Sequence, residues 1–297
     1  MRAFLFPGQG SQKVGMDAGL PRRRFDEADA ALGFRLSKIV ADGPEDELTR
    51  TANTQPAILT VSIAWLDELA ARGVTADVVA GHSLGEFSAL VWSGALAFVD
   101  AVRLVHLRGR FMQEAVPEGK GAMAAIIGLE GRTVADTCRE VSMSDDDACQ
   151  PANFNGAGQV VIAGHKGAVE RAMKLCKDKG AKLVKALPVS APFHSALMAP
   201  AAERLRAELE RVVVGPMRGP VVANVSAEAN ADAGKVKELL YRQVTGSVRW
   251  EESVHALVKR GVTEAYEVGP GNVLRGLVRR IAPSIALADL PALGGAA

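Results

Sequence analysis

Short apolar runs alternate with longer amphipathic stretches along the first third of the chain. Residues 3–6 are four apolar residues that stop at Pro7-Gly8, a strand-then-turn pattern. Residues 56–71 carry the spacing of a helix, residues 77–80 that of a short buried strand, and residues 84–93 that of a second helix. Strands and helices in alternation predict an α/β fold with a mainly parallel sheet. Residues 100–115 predict a further helix. At 100° per residue its Ala101, Val105, Arg108 and Met112 fall on one stripe, while Arg103 and Arg110 project from the other side.

From residue 120 to 190 the rhythm changes. Residues 122–128 predict a strand, 132–141 a helix, and 148–154 and 159–164 two strands around a Gly-rich turn at 155–158. Residues 167–179 predict a helix and 182–189 a strand. The order β-α-β-β-α-β is that of a ferredoxin-like unit. The chain therefore reads as a large α/β subdomain made of residues 1–119 and 191–297, interrupted by an inserted small subdomain of residues 120–190. Residues 281–297, rich in Ala, Leu, Pro and Gly, read as a loosely held tail.

Composition narrows the function classes. At 297 residues the chain suits one large domain or two lobes, on a prior of about 150 residues per domain. Lys and Arg number 35 against 34 Asp and Glu, a net +1 that argues against a general nucleic-acid binder. Cys138, Cys149 and Cys176 form no CxxC pair, which speaks against a zinc site or disulfide framework and for a reducing cytoplasm. The apolar start is too short for a signal-peptide core, and no apolar run approaches 18 residues, so neither export nor a membrane span is expected.

Gly81-His82-Ser83-Leu84-Gly85 fits G-x-S-x-G between a predicted strand and a predicted helix. Such a turn puts a serine oxygen at its tip, with free amides and the positive dipole end of the helix beside it. Ser83 is then a nucleophile candidate, and the Leu84 amide an oxyanion donor. An ordinary βα turn with a capping serine, with Glu86 serving the same cap, fits the pattern too. Five histidines could supply a base. His106 and His255 lie in helical patterns, and His165 follows Gly164 at a strand end. His194 sits in the constrained Ala191-Pro192-Phe193-His194-Ser195, where proline fixes the backbone, so it is either a rigidly mounted base or a core residue. No acid stands out to orient it, and Asp145-Asp146-Asp147 reads as a solvated loop. A carbonyl or amide could fill that role. Arg108, a cation on an apolar stripe, is either a structural arginine paired with a carboxylate or a fork for a substrate carboxylate.

Taken together, these residues resemble the malonyl-CoA:acyl carrier protein transacylase family. The matching segments are Pro7-Gly8-Gln9-Gly10-Ser11-Gln12, Gly81-His82-Ser83-Leu84-Gly85-Glu86, Arg108-Gly109-Arg110-Phe111-Met112-Gln113, Asn153-Phe154-Asn155, Gln159-Val160-Val161-Ile162-Ala163-Gly164, Pro192-Phe193-His194-Ser195, Asn224-Val225, Arg242-Gln243 and Glu267-Val268-Gly269-Pro270-Gly271. They run in the family's order from Met1 to about Ile281. The resemblance implies an α/β-hydrolase-like core with an inserted ferredoxin-like subdomain. It implies Ser83 as nucleophile, His194 as base, the Gln243 carbonyl as the histidine's orienter, the Gln9 and Leu84 amides as oxyanion hole, and Arg108 as clamp on the malonyl carboxylate. Asn155 matches a position near the active site. Phe193 and Leu84 fit the malonyl-selective pattern rather than the methylmalonyl one.

The implied activity is malonyl transfer from malonyl-CoA to the thiol of holo acyl carrier protein, in the cytoplasm, for fatty-acid synthesis, without metal or redox cofactor. A serine esterase and the acyltransferase subunit of a malonate decarboxylase share these motifs. A binding module using Gly8-Gln9-Gly10 as a phosphate loop is the non-catalytic alternative, though the rest of a dinucleotide fingerprint is missing. Lys166, Arg171, Lys174, Lys177, Lys179, Lys182 and Lys185 face only Glu170 and Asp178 in their segment. They read as a solvated face or as a docking patch for an acidic carrier protein or CoA phosphates, with Arg22-Arg23-Arg24 a weaker second candidate.

Overall fold

The computed structural model describes residues 1–189 and 191–293. Among these residues ten strands run in chain order as β1 (Arg2–Phe6), β2 (Val78–Gly81), β3 (Gly121–Ile127), β4 (Cys149–Gly156), β5 (Gln159–His165), β6 (Leu183–Ala186), β7 (Val221–Val222), β8 (Ala229–Asn230), β9 (Glu264–Glu267) and β10 (Ala286–Ala288). They form two sheets.

The larger sheet has the order β10-β9-β1-β2-β7-β8, parallel throughout except for β8 at its edge. Residues 3–6 of β1 are fully buried because both faces are covered. Phe4 and Phe6 pack toward helices Thr51–Ala71 and Phe98–Glu114, and Ala3 and Leu5 toward Trp250, Leu274 and Leu277. That explains why the run is continuously apolar rather than alternating. Phe6 pairs with Gly81, so β1 and β2 end level with each other, and the loops that follow both strands open at the same edge.

The smaller sheet, β4-β5-β3-β6, is antiparallel throughout. Helices Gly131–Val141 and Lys166–Asp178 cover one face, with the three free cysteines buried between. The opposite face presents Met123, Ala152, Val161 and Ala163 toward Leu187, Val189 and Phe193. Number and type of elements here follow the sequence pattern.

Three details differ from it. Asn155, expected in a turn, belongs to β4, which absorbs two irregularities and runs on to Gly156. β6 stops at Ala186, three residues before the expected end. The expected loose tail is held: β10 pairs with β9, Arg72 Nη2 donates to the Ala292 carbonyl at 3.0 Å, and Leu293 lies against Gly19. Residues 294–297 of that segment, and the expected boundary at Ser190, lie outside the described residues. Among the described residues no helix is long and apolar enough to cross a membrane.

Candidate active site

Ser83 occupies the turn between β2 and helix Gly85–Ser93 with a φ of 52°, a conformation that costs a non-glycine residue about 1–3 kcal/mol. The glycines on either side make the turn possible by close approach. A Cβ on Gly81 would stand 1.9 Å from the Gly85 carbonyl carbon, and one on Gly85 would stand 2.0 Å from the Phe6 oxygen. Gly8 is pressed against the same turn, with space for a Cβ denied by the His82 carbonyl oxygen at 2.6 Å. The Pro7-Gly8-Gln9 loop after β1 and the serine turn after β2 are thereby locked together.

Ser83 Oγ lies 2.7 Å from His194 Nε2. His194 also has a positive φ, 57°, in the loop that follows the smaller sheet. Its Nδ1 is 2.9 Å from the Gln243 carbonyl oxygen and 3.2 Å from that of Gly246. Carbonyls only accept, so the ring proton sits on Nδ1 and the lone pair of Nε2 faces the serine. Burial, assisted by the Arg108 charge, pulls the imidazolium down to about 3, so the ring is neutral, with its Nε2 lone pair free, at any physiological pH. No aspartate is needed to fix the tautomer.

Arg108 is 2% exposed, on the inner stripe of helix Phe98–Glu114. It donates from Nη1 to Gln55 Oε1 at 2.8 Å, and from Nη2 to Gln243 Oε1 at 2.9 Å and Ser83 Oγ at 3.1 Å. Its Nε is buried and has no hydrogen-bond partner among the described residues. Among the described residues no carboxylate lies within ion-pair distance, so the pairing expected of a structural arginine is not what holds it. Burial lowers the guanidinium to about 10, which leaves it cationic.

The two oxyanion candidates differ in setting. Leu84 starts the helix, and Gln9 lines the cleft beside Ser83. Neither backbone amide donates to another described residue. Asn155 Oδ1 accepts from His82 Nε2 at 2.9 Å, which ties β4 to the serine turn. Burial lowers the His82 pKa, so this ring too is neutral. A cleft of about 240 Å³ connects these groups. Gln9, Ser83, Arg108 and His194 line one side of it, and Met123, Asn155, Val161 and Leu187 of the smaller-sheet segment the other.

Sequence reasoning left Gln55 unnamed and gave Asn224 and Glu86, though both stand in matching segments, no supporting role at the site. Asn224 accepts from the Ser83 amide at 2.7 Å and donates to the Gly81 carbonyl at 2.6 Å, bracing the strained turn from behind. Gln55, inside an apolar helix, turns out to be an arginine ligand. Glu86 is not a helix cap but a buried carboxylate that accepts from Gln243 Nε2 at 2.8 Å and the Asn224 amide at 3.1 Å. The side chain of Gln243 joins them: its Nε2 also reaches the Ser83 carbonyl, at 2.9 Å. Only the motif Gly-His-Ser-Leu-Gly-Glu could have pointed to Glu86.

A serine braced at a strand–helix turn, against a neutral histidine and beside a cationic fork, has the groups that acyl transfer requires. The chain belongs to the acyl transferase family, whose domain model matches residues 3–283. Within that family its relatives are malonyl transacylases. It is 48% identical over 295 residues to the malonyl CoA-acyl carrier protein transacylase of Salmonella typhimurium, covering 97% of this chain and 95% of the relative. The acyl carrier protein S-malonyltransferase of Vibrio cholerae superposes with a TM-score of 0.94 at 45% identity, over 97% and 96% of the two chains. A malonyl-transacylase solved in complex with AntF, a type II PKS acyl-carrier protein, gives 0.93 at 46% identity, over 97% and 95%.

Proposed function

We propose that the enzyme transfers the malonyl group of malonyl-CoA to the phosphopantetheine thiol of holo acyl carrier protein, through a malonyl-serine at Ser83, and so supplies fatty-acid synthesis in the cytoplasm. The observation that carries this is the position of Ser83 Oγ, 2.7 Å from His194 Nε2 and 3.1 Å from Arg108 Nη2. The nucleophile stands between a base and a carboxylate-binding cation.

His194 takes the hydroxyl proton as Ser83 attacks the thioester carbonyl, and the C–S bond breaks as the tetrahedral state collapses. The departing CoA sulfur receives that proton. The amides of Gln9 and Leu84 hold the developing oxyanion; one such donor is worth about 3 kcal/mol in other enzymes. Arg108 holds the malonyl carboxylate. The carrier thiol then reverses the steps: His194 accepts its proton, the thiolate attacks the ester, and Ser83 is restored. No step calls for a metal or redox group. Gln243 positions both His194, through its carbonyl, and Arg108, through its side chain. Asn155 positions His82 against the serine turn.

The fold reading goes with this. The larger subdomain, residues 1–119 and 191–297, is α/β-hydrolase-like, supported by the serine turn at the carboxyl edge of a parallel sheet. The inserted residues 120–190 are ferredoxin-like, supported by the β-α-β-β-α-β order and the all-antiparallel pairing.

Intact-mass measurement after mixing with malonyl-CoA tests the proposal. The expected result is one malonyl adduct, cleared by holo acyl carrier protein and absent in Ser83→Ala. Hydrolysis of the thioester without transfer would point to an esterase instead, and the absence of any adduct to a binding module. A carrier restricted to a malonate decarboxylase complex would mark the remaining alternative, which the names of the relatives do not favour.

A further inference from the structure

The transfer steps leave one buried carboxylate at the site without a task. Glu86 is 2% exposed, and its Oε2 accepts from Gln243 Nε2 and the Asn224 amide. Gln243 passes the contact on, since its Oε1 accepts from Arg108 Nη2. A buried anion and a buried cation thus stand one side-chain amide apart. Among the described residues Arg108 is the one charge acting on Glu86, and its hydrogen-bond partners and the residues lining the small cavity beside it are uncharged. Helix Val236–Thr245 brings Gln243, Val236 and Leu239, the stretch from β7 to β8 brings Val221, Ala223, Asn224 and Asn230, and helix Thr51–Ala71 brings Gln55, which accepts from Arg108. His194, held by the Gln243 carbonyl, is neutral.

We propose that Glu86 is the resident counter-charge of Arg108, a positioning residue that takes up one proton when a substrate carboxylate arrives at the arginine. This rests on the reading of Arg108 as the malonyl clamp. With the cleft empty, one buried cation faces one buried anion. A malonyl carboxylate adds a second anion in the same low-dielectric region, and two carboxylates around one guanidinium raise each other's proton affinity. The substrate carboxylate is fixed on the fork by charge-assisted hydrogen bonds. Glu86, whose carboxyl burial already pushes up to about 7, is the group that yields. The proton comes from the buffer and forms an O–H bond on Glu86. The remaining carbonyl oxygen still accepts from Gln243 Nε2, so the amide stays turned with its oxygen toward Arg108. An acetyl group brings no charge and calls for no proton.

The experiment loads the intact enzyme at about pH 8 in a weakly buffered indicator solution and counts protons taken up per Ser83 adduct. We expect most of one proton per malonyl group, close to none per acetyl group, and close to none per malonyl group in Glu86→Gln. Should that variant fail to fold, the wild-type enzyme carries the test alone. Its kcat/KM for malonyl-CoA, divided by that for acetyl-CoA, falls above about pH 7 with a limiting slope of tenfold per unit. Equal uptake for malonyl and acetyl, uptake undiminished in a folded Glu86→Gln, or a ratio flat from pH 6 to 9 would overturn the proposal. Absence of any malonyl adduct would overturn the proposed function instead.

Discussion

Ser83 and His194 are two of four non-glycine residues with positive φ among the described residues, at 52° and 57°. The pair proposed to react accounts for half of these strained positions, and two inactive variants isolate the strain at Ser83. Ser83→Ala and Ser83→Gly both lack the hydroxyl, but only glycine is at ease at this φ. Ser83→Gly should be the more stable of the two by about 1 kcal/mol in thermal unfolding; equal stability would mean the turn is not strained. Arg108 carries a second residue-scale prediction. Arg108→Ala removes the fork, so malonyl transfer should drop by two or more orders of magnitude while acetyl transfer gains relative to it. An unchanged malonyl-over-acetyl preference would refute the clamp. His194 carries a third. Burial pulls its imidazolium down to about 3, below the ordinary 6.5, so the basic form persists as pH falls through the usual histidine range. Single-turnover loading of acetyl-CoA should therefore show no acid limb between pH 5 and 8. A limb centred near 6.5 would mean a solvated imidazole.

The serine turn depends on how closely helix Gly85–Ser93 approaches β1, and two glycine substitutions test this in opposite directions. A Cβ on Gly85 would stand 2.0 Å from the Phe6 carbonyl oxygen, backbone that cannot step aside without moving the helix off the sheet. Gly85→Ala should cost about 3 kcal/mol or more and abolish the acyl adduct. Gly276, inside helix Val273–Ile281, has nothing within 4 Å of its would-be Cβ, and Gly276→Ala should raise stability by 0.5 to about 1 kcal/mol. Melting temperatures of the two variants on the same side of the wild type would contradict this reading. The same element shows what a sequence conveys. Strands 3–6 and 77–80 and the helix after Ser83 were legible as short, nearly continuous apolar runs, buried on all sides, and the stripe carrying Arg108 because burial on a fixed face leaves a period. β7 was not: it is two residues long, too short for any period, and exists through its pairing with Val79 and Ala80. Asn224 follows it, so its grip on the Ser83 amide comes from a contact 141 positions away in sequence. Glu86 was visible but misjudged, because an acidic residue in a first helical turn ordinarily caps, and only tertiary burial turns it inward. The tail was misjudged for a related reason: its composition is that of a loop, while its order comes from pairing with β9.

At the scale of the whole molecule the near-neutral charge hides an uneven surface. Of the seven basic residues between Lys166 and Lys185, two are already matched: Arg171 by Asp147 at 2.7 Å and Lys179 by Glu140 at 2.7 Å. Lys166, Lys174, Lys177, Lys182 and Lys185 are exposed and have no ion pair among the described residues. They are not equivalent with respect to the cleft. Lys174 and Lys177 ride on the helix that covers the far face of the smaller sheet. Along β6, side chains alternate between faces. Val184 packs on the helix side, so Lys185 shares the opposite face with Leu187, which lines the cleft. An acidic carrier delivering its thiol to Ser83 would meet Lys185 before the helix lysines. Lys185→Glu should therefore lower kcat/KM for holo acyl carrier protein about tenfold at low ionic strength, through a slower encounter. The Lys174→Glu, Lys177→Glu double variant should lower it less, although it reverses twice the charge. Both deficits should shrink as salt is raised, since exposed charges are screened over about 10 Å at 0.1 M. Loading from malonyl-CoA, measured as adduct formation without carrier, separates a docking defect from a damaged cleft. A larger effect from the helix pair, or rates that ignore both charge and salt, would place the carrier elsewhere on the surface.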